Sequence, residues 1–381
     1  MRSETPIPAE ALAQIRAPLL AAGAQRVEPP LLQPLSLILD LAGEAMRERL
    51  FVVQAEGGAE ACLRPDFTVA VASQHVTSQD GANGAAEGRY YYEGPAFRAS
   101  QGADLAEEFL QLGVEWFAPA GAPGVEADAE IAALAWRAAK AGGRGDLSLW
   151  LGDVGLFAAF IESLALPQAL GARLQRIAGR PRLLNAELAR AGEPAAPAAR
   201  GRLAALLAGL GEAEAADLLE EVWSLAGVDP VGGRGPAEIA ARLVRRAAAA
   251  DAPALTEAQA SAIREFMAIS DQPEAGLARV RELAGQGRAL DQALEDWARR
   301  LERHDALAAG ATLGFAPALG HAFDYYDGLT FEVRSAGLGP ERPVAVGGRY
   351  DGLLARLGGA AGARAVGCMV RPARAFTGGE A

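Results

Sequence analysis

A chain of 381 residues with 51% hydrophobic content can bury a large core, which places it among folded globular proteins and excludes disorder. Its 48 acidic against 36 basic residues give a formal net charge of −12, which disfavours an extended phosphate-backbone contact unless a basic face is segregated. No such run is present: RLVRR (242–246) and ARRLERH (298–304) are short and flanked by acids.

The start of the chain, MRSETPIPAEAL, lacks a charged-then-apolar signal pattern, and no apolar run approaches the ~20 residues of a membrane span, so a cytoplasmic protein is expected. PAEALAQIRAPLLAAGAQRV has apolar residues at helical spacing (Leu12, Ile15, Leu19), and EPPLLQP then breaks regular structure. SLILDLAGEAMRERL is partly helical and leads into a strand, LFVVQ; a second strand, ACLR, follows the turn-like EGGAE. A short helix is predicted from Thr68 to Gln79, capped by Asp66 or Thr68. Strands follow near 89–98 and 108–118. GVEADAEIAALAWRAAKAG then reads as a helix stopped by Gly142-Gly143, DLSLWLGD as an alternating strand, and VGLFAAFIESLAL as a helix. From Pro167 to about Ala309 the pattern is almost wholly helical, with breakers but no fixed repeat period. Strand signals return at ATLGFAP, GLTFEVRS, RPVAVGG and RAVGCMVRP, so a mixed but mainly antiparallel sheet brackets a helical block. Cys62 and Cys368 lie outside any CxxC pair, and His75, His304 and His321 show no ligand spacing; neither a disulfide nor a metal site is expected.

Five fragments occur in order: LRPDFT (63–68), EGPAFR (93–98), EEFLQLGVEWF (107–117), FDYYDGLTFEV (323–333) and GGRYDGLLARLG (347–358). Together they resemble histidyl-tRNA synthetase and its catalytic-core paralogue, the regulatory subunit of ATP phosphoribosyltransferase. The resemblance covers about residues 10–118 and 311–374. It implies an α+β, class II synthetase-like core, a mainly antiparallel sheet with flanking helices and a helical insertion. The expected domains are a first part of the core (1–166), a helical insertion (167–310) and a second part of the core (311–381).

In synthetases of this kind the fragments surround a histidine molecule. The resemblance therefore places Asp66 and Thr68 in the acid-x-Thr motif and Arg98 against the carboxylate. Gln111 and Glu115 take amino-acid contacts, and Tyr326 and Tyr350 line the imidazole pocket. The residue types suit these tasks: acids hold an ammonium, arginine pairs bidentately with a carboxylate, and phenols offer apolar faces with a polar tip. Structural roles compete at each position. Tyr325 and Tyr326 on a strand would be one core and one surface residue, Gly347-Gly348 a tight turn, and Arg98 an ion-pair partner of Glu115.

Four departures from the synthetase pattern bear on function. His321 replaces the arginine that precedes the DYY motif. The loop ASQGADLAEEF brings Asp104, Glu107 and Glu108 and no cation to a place where a triphosphate needs positive charge. In GCMVRPAR (367–374), Arg374 matches the motif arginine, but Arg371 stands where glycine lets the nucleotide approach. A chain ending at Ala381 is also expected to lack an anticodon-binding domain. The resemblance thus implies a non-catalytic regulatory subunit, needing no cofactor and binding no tRNA or membrane. It would assemble with a short-form ATP phosphoribosyltransferase catalytic subunit, self-dimerise, and take L-histidine as ligand in feedback control of histidine biosynthesis. The alternative is a truncated ligase that activates histidine or another amino acid.

Overall fold

The computed structural model describes residues 2–42, 44–54, 58, 60–78, 87–100, 106–122, 124–192, 212–226, 255–320 and 325–378. Among them are eleven strands: β1 (Gln25–Arg26), β2 (Leu32–Pro34), β3 (Val52–Gln54), β4 (Glu60–Leu63), β5 (Gly88–Phe97), β6 (Glu108–Ala118), β7 (Leu147–Asp153), β8 (Leu313–Phe315), β9 (Leu329–Ser335), β10 (Ala345–Arg349) and β11 (Arg364–Val370). The helices of the first half are α1 (Ala9–Ala21), α2 (Leu35–Ala42), α3 (Thr68–Thr77), α4 (Gly124–Lys140) and α5 (Val154–Ser163). They are followed by α6 (Gln168–Ile177), α7 (Pro181–Leu188), α8 (Glu212–Ala226), α9 (Glu257–Ala268), α10 (Pro273–Leu283), α11 (Arg288–Leu307), α12 (Asp351–Arg356) and α13 (Pro372–Ala375).

Chain contacts define two compact units, one of Met1–Phe160 with Phe266–Ala381 and one of Ile161–Glu265. The first holds both sheets. Its eight strands run in the order β1-β5-β6-β11-β10-β9-β7-β8, and among the described pairs only β1–β5 and β7–β8, at the two edges, are parallel. Strands β5, β6, β11, β10 and β9 therefore pair with one another antiparallel inside the sheet, in fixed registers. A small sheet, β2-β4-β3, lies apart from this one. The second unit is helical: α6 and α7 bury Leu170, Leu174, Leu184 and Leu188, and Arg173 pairs with Glu187 at 2.6 Å.

Two polar networks fix the helices of the first unit. Arg16 of α1 grips Glu93 of β5 through two hydrogen bonds of 2.7 and 2.5 Å, while Tyr91 donates to the same carboxylate. The Glu93 of EGPAFR thus holds a helix instead of facing a ligand. Deeper, Asp128 of α4 accepts from Arg349 of β10 at 2.8 Å and from Arg300 of α11 at 3.0 Å, and Arg300 and Trp297 both donate to Asp153 at the end of β7. Buried guanidinium and carboxylate groups compensate one another here, so α11 is pinned by charge as well as by Trp297, Leu290 and Leu294.

Two local expectations are corrected. Phe67, not Asp66 or Thr68, occupies the N-cap of α3, with no side-chain capping bond. Gly347 and Gly348 lie within β10, not in a turn; a Cβ on Gly347 would fall 2.3 Å from the Gly367 carbonyl oxygen, and one on Gly348 2.5 Å from that of Leu329. Glycine is needed there for close strand approach.

His304, one turn beyond Arg300 on α11, is fully buried with no partner among the described residues on either ring nitrogen. Burial pushes its pKa down to about 4. The folded state keeps this ring neutral while the unfolded chain protonates it below about 6.5, so stability is lost as pH falls from about 6.5 to about 4, by on the order of 3 kcal/mol. A His304→Leu variant is expected to gain stability over the parent progressively across that window in urea melts, with little difference at pH 8.

Candidate functional site

Strand β6 places Gln111, Gly113 and Glu115 on one face by its period of two, and both polar side chains are buried there. Glu115 sits at the centre. Its carboxylate accepts hydrogen bonds from Tyr350, at the β10–α12 junction, from Thr68 at the start of α3 (2.8 Å), and from Tyr92 on β5 (3.2 Å). Gln111 donates to the Tyr92 hydroxyl at 3.4 Å. Burial raises the Glu115 pKa to about 7, against the pull of the Tyr350 and Thr68 hydroxyls.

Room for this carboxylate comes from missing side chains. Gly367 of β11 faces Glu115 in register, and a Cβ there would lie 1.6 Å from its Oε2; a Cβ on Gly113 would lie 2.2 Å from the Tyr92 hydroxyl. Above this floor is a small cavity lined by Asp66, Thr68, Arg98, Gln111, Tyr325, Tyr326 and Tyr350, closed by the glycine-bearing segments of β10 and β11. Six of the seven ligand-site residues expected from the sequence line it, and Glu115, the seventh, lies beneath. The space is about 20 Å³, enough for about one water and too little for an imidazole.

The lining has a definite polarity. Asp66 is buried, and burial raises its pKa against the opposing charge of Arg98, whose Nη2 is 3.7 Å from Oδ2. Apart from Arg98, only the backbone N–H groups of Thr68 and Val69 at the start of α3 approach the Asp66 carboxylate, short of full hydrogen-bonding geometry, and no donor among the described residues meets Gln111 Oε1. These buried acceptors are incompletely met, and buried acceptors are costly until an N–H or O–H satisfies them. Arg98 donates through Nε to the Pro65 carbonyl at 2.8 Å, and its ion-pair partner is Asp66 instead of Glu115. Tyr325 and Tyr326 precede β9 and are not on a strand; their rings meet at 4.8 Å, and Tyr325 packs edge-on to Tyr350. Acceptors for an ammonium, a guanidinium for a carboxylate and phenols around a buried acid form a set that suits a free amino acid.

On the far side of Met369 the site changes character. The Arg371 guanidinium stacks 3.5 Å over the Phe109 ring and pairs with Glu4, and burial lowers its pKa to about 9. Arg374 donates to the Pro343 carbonyl at 2.9 Å. The loop acids turn away from the cavity. Glu107 accepts the Arg2 backbone N–H at 3.0 Å and Glu108 the Ser3 hydroxyl at 2.7 Å. Asp104 and His321 lie outside the described residues.

The histidyl-tRNA synthetase family model matches residues 4–230 and 237–374. The ATP phosphoribosyltransferase regulatory subunit of Mesorhizobium japonicum is 37% identical over 87% of each chain, and that of Brucella anthropi 35% over 90% of each. The chain belongs to the ATP phosphoribosyltransferase regulatory subunit family, on a histidyl-tRNA synthetase-like fold. Solved structures agree on that fold. An ATP phosphoribosyltransferase regulatory subunit/histidyl-tRNA synthetase from Bacillus halodurans superposes with a TM-score of 0.63 at 21% identity, covering 97% of this chain and 79% of the other. The histidyl-tRNA synthetase of Nostoc sp. PCC 7120 gives 0.57 at 15%, covering 96% and 69%. The class II core expected from the five fragments is therefore the observed one. Tyr92, whose hydroxyl joins Gln111 to Glu115, was not anticipated; its signal was its place on the strand preceding EGPAFR, where alternation puts it opposite Gly113.

Two substitutions test this floor. For Glu115 the folded pKa lies above the unfolded value near 4.5. Its contribution is therefore fully present below about 4.5 and lost as pH rises through about 7, on the order of 3 kcal/mol. Glu115→Gln is expected to remove that pH dependence, so its stability relative to the parent increases from pH 4.5 to 7.5 in denaturant melts. Gly367→Ala is expected to destabilise by roughly 2–3 kcal/mol at pH 7, because its methyl group overlaps the carboxylate.

Proposed function

We propose that this chain is the non-catalytic regulatory subunit of an ATP phosphoribosyltransferase, acting at the first step of L-histidine biosynthesis in the cytoplasm. It assembles with a separate short-form catalytic subunit, is needed for that subunit's full activity, and brings it under feedback control by histidine. The observation that carries this reading is identity of 35–37% over nearly the whole chain to subunits of that name. The amino-acid character of the cavity supports it independently.

In this reading Asp66 and Gln111 take the ammonium of histidine, Arg98 its carboxylate, and Glu115 with Tyr326 and Tyr350 its imidazole; Thr68 holds Glu115 in place. A cavity of about 20 Å³ has to open to admit such a ligand. That requirement is what an allosteric site needs: a ligand shifts an equilibrium only through different contacts in two states. Arg371 on Phe109, where the synthetase pattern has glycine, supports the loss of amino-acid activation. Self-association is supported by the exposed apolar residues Leu31, Leu32, Val52 and Val53 in and beside the small sheet.

The test is reconstitution. The chain is expected to co-purify with a short-form catalytic subunit, raise its phosphoribosyl-transfer rate at least about tenfold, and make that rate fall on addition of histidine. Robust histidine-dependent exchange of pyrophosphate into ATP by the chain alone would contradict the reading and favour the truncated ligase.

A further inference from the structure

The walls of the amino-acid cavity differ in what holds them. Its floor cannot part: β11 is bonded to β6 on one side and to β10 on the other, in register through Gly367 and Cys368. The wall carrying Asp66 and Thr68 is tied down by Arg64, whose Nε and Nη1 donate to the Pro95 and Pro29 carbonyls at 2.9 and 2.6 Å, and by Phe67, stacked 4.4 Å from Tyr92. Arg98 is anchored by its backbone N–H on the Glu107 carbonyl and by Nε on that of Pro65. Tyr325 and Tyr326 form the remaining wall, and they lie outside any strand, just before β9.

Tyr326 rests on bare backbone, since a Cβ on Gly348 would fall 2.8 Å from its ring. The next residue, Asp327, is exposed and outside the cavity lining. Its N–H donates to the Arg349 carbonyl at 3.1 Å, and its carboxylate oxygens accept the N–H groups of Asp351 (3.0 Å) and Gly352 (2.5 Å). A Cβ on Gly352 would lie 2.9 Å from that carboxylate, so the close approach depends on glycine there. These bonds grip the chain on both sides of Tyr350. Tyr350 is held without them: its N–H donates to the Ala365 carbonyl, its hydroxyl donates to Glu115, and Asp351 accepts from Arg349 and from the Ala365 N–H. The Asp351 carboxylate also repels that of Asp327, which limits the strength of the grip.

We infer that Asp327 is the clamp of this cavity: the Tyr325–Tyr326 wall moves to admit the ligand, the bonds to the Asp327 carboxylate break as it does, and they re-form behind the bound molecule. For the ligand's identity this rests on the histidine reading above. Asp327 touches no ligand; it acts through Tyr326 as a positioning residue. A clamp closed in both the empty and the occupied state slows entry and exit alike, and leaves the equilibrium between them nearly unchanged.

Two measurements on the full chain test it. Without histidine, tetranitromethane nitration of Tyr326, mapped by mass spectrometry, should run about tenfold faster in Asp327→Ala and about threefold faster in Asp327→Asn, which keeps one carbonyl acceptor and the shape of the side chain. With histidine, stopped-flow association and dissociation rates should rise together by similar factors, while Kd stays within about threefold of the parent. Should Asp327→Ala not fold, Asp327→Asn carries both measurements. Parent-like nitration in both variants would overturn the clamp, as would faster dissociation with unchanged association, the mark of a contact that only supports the bound state. A parent that binds no histidine would overturn the functional reading instead, and nitration alone would then decide the clamp.

Discussion

A carboxylate buried in the middle of a sheet has to be satisfied from every side, and Glu115 imposes that demand on the structure around it. Its partners come from α3, β5 and the β10–α12 junction, and its volume is accommodated by a glycine on β11. These elements are far apart in sequence: Thr68, Tyr92, Tyr350 and Gly367 converge on one side chain. Three of the five recognised fragments, LRPDFT, EEFLQLGVEWF and GGRYDGLLARLG, are thus joined at a single buried acid. Tyr350 also connects it to the salt-bridge layer behind the sheet, since the adjacent Arg349 reaches Asp128 and, through it, Arg300 of α11.

The second organising influence is the distribution of charge. Overall acidity and the acids of the loop at 99–109 point, in the sequence, to a site hostile to anions. Side-chain placement gives a different balance. Glu107 and Glu108 are engaged by Arg2 and Ser3 at the start of the chain, while Arg371 is paired with Glu4 and Arg374 with the Pro343 carbonyl. Net charge governs long-range encounter; a local group responds to neighbours within a few ångströms, where burial amplifies each charge.

The core strands and most helices were legible because their hydrophobic periods are clean, and the cavity residues because five motifs in order specify one fold. Other features depended on contacts between distant segments. Nothing near LRPDFT signals that Asp66 pairs with Arg98, and nothing in EGPAFR signals that Glu93 belongs to Arg16. Gly347-Gly348 read as a turn because glycine pairs usually are; only the close approach of β9 and β11 gives them their strand role. Arg371 stands where the synthetase pattern has glycine, but its stacking on Phe109 and its pairing with Glu4, 367 residues away, could not be seen from the local sequence.

The central claim is that an amino-acid site has been kept on a synthetase-like core while activation has been given up. Histidine binding to the purified chain, followed by calorimetry in the parent and in a folded Arg98→Ala variant, tests it most directly. Saturable binding by the parent, weakened at least about tenfold in the variant, is the predicted result. A parent that binds no histidine, or a variant that binds it equally well, would contradict the claim.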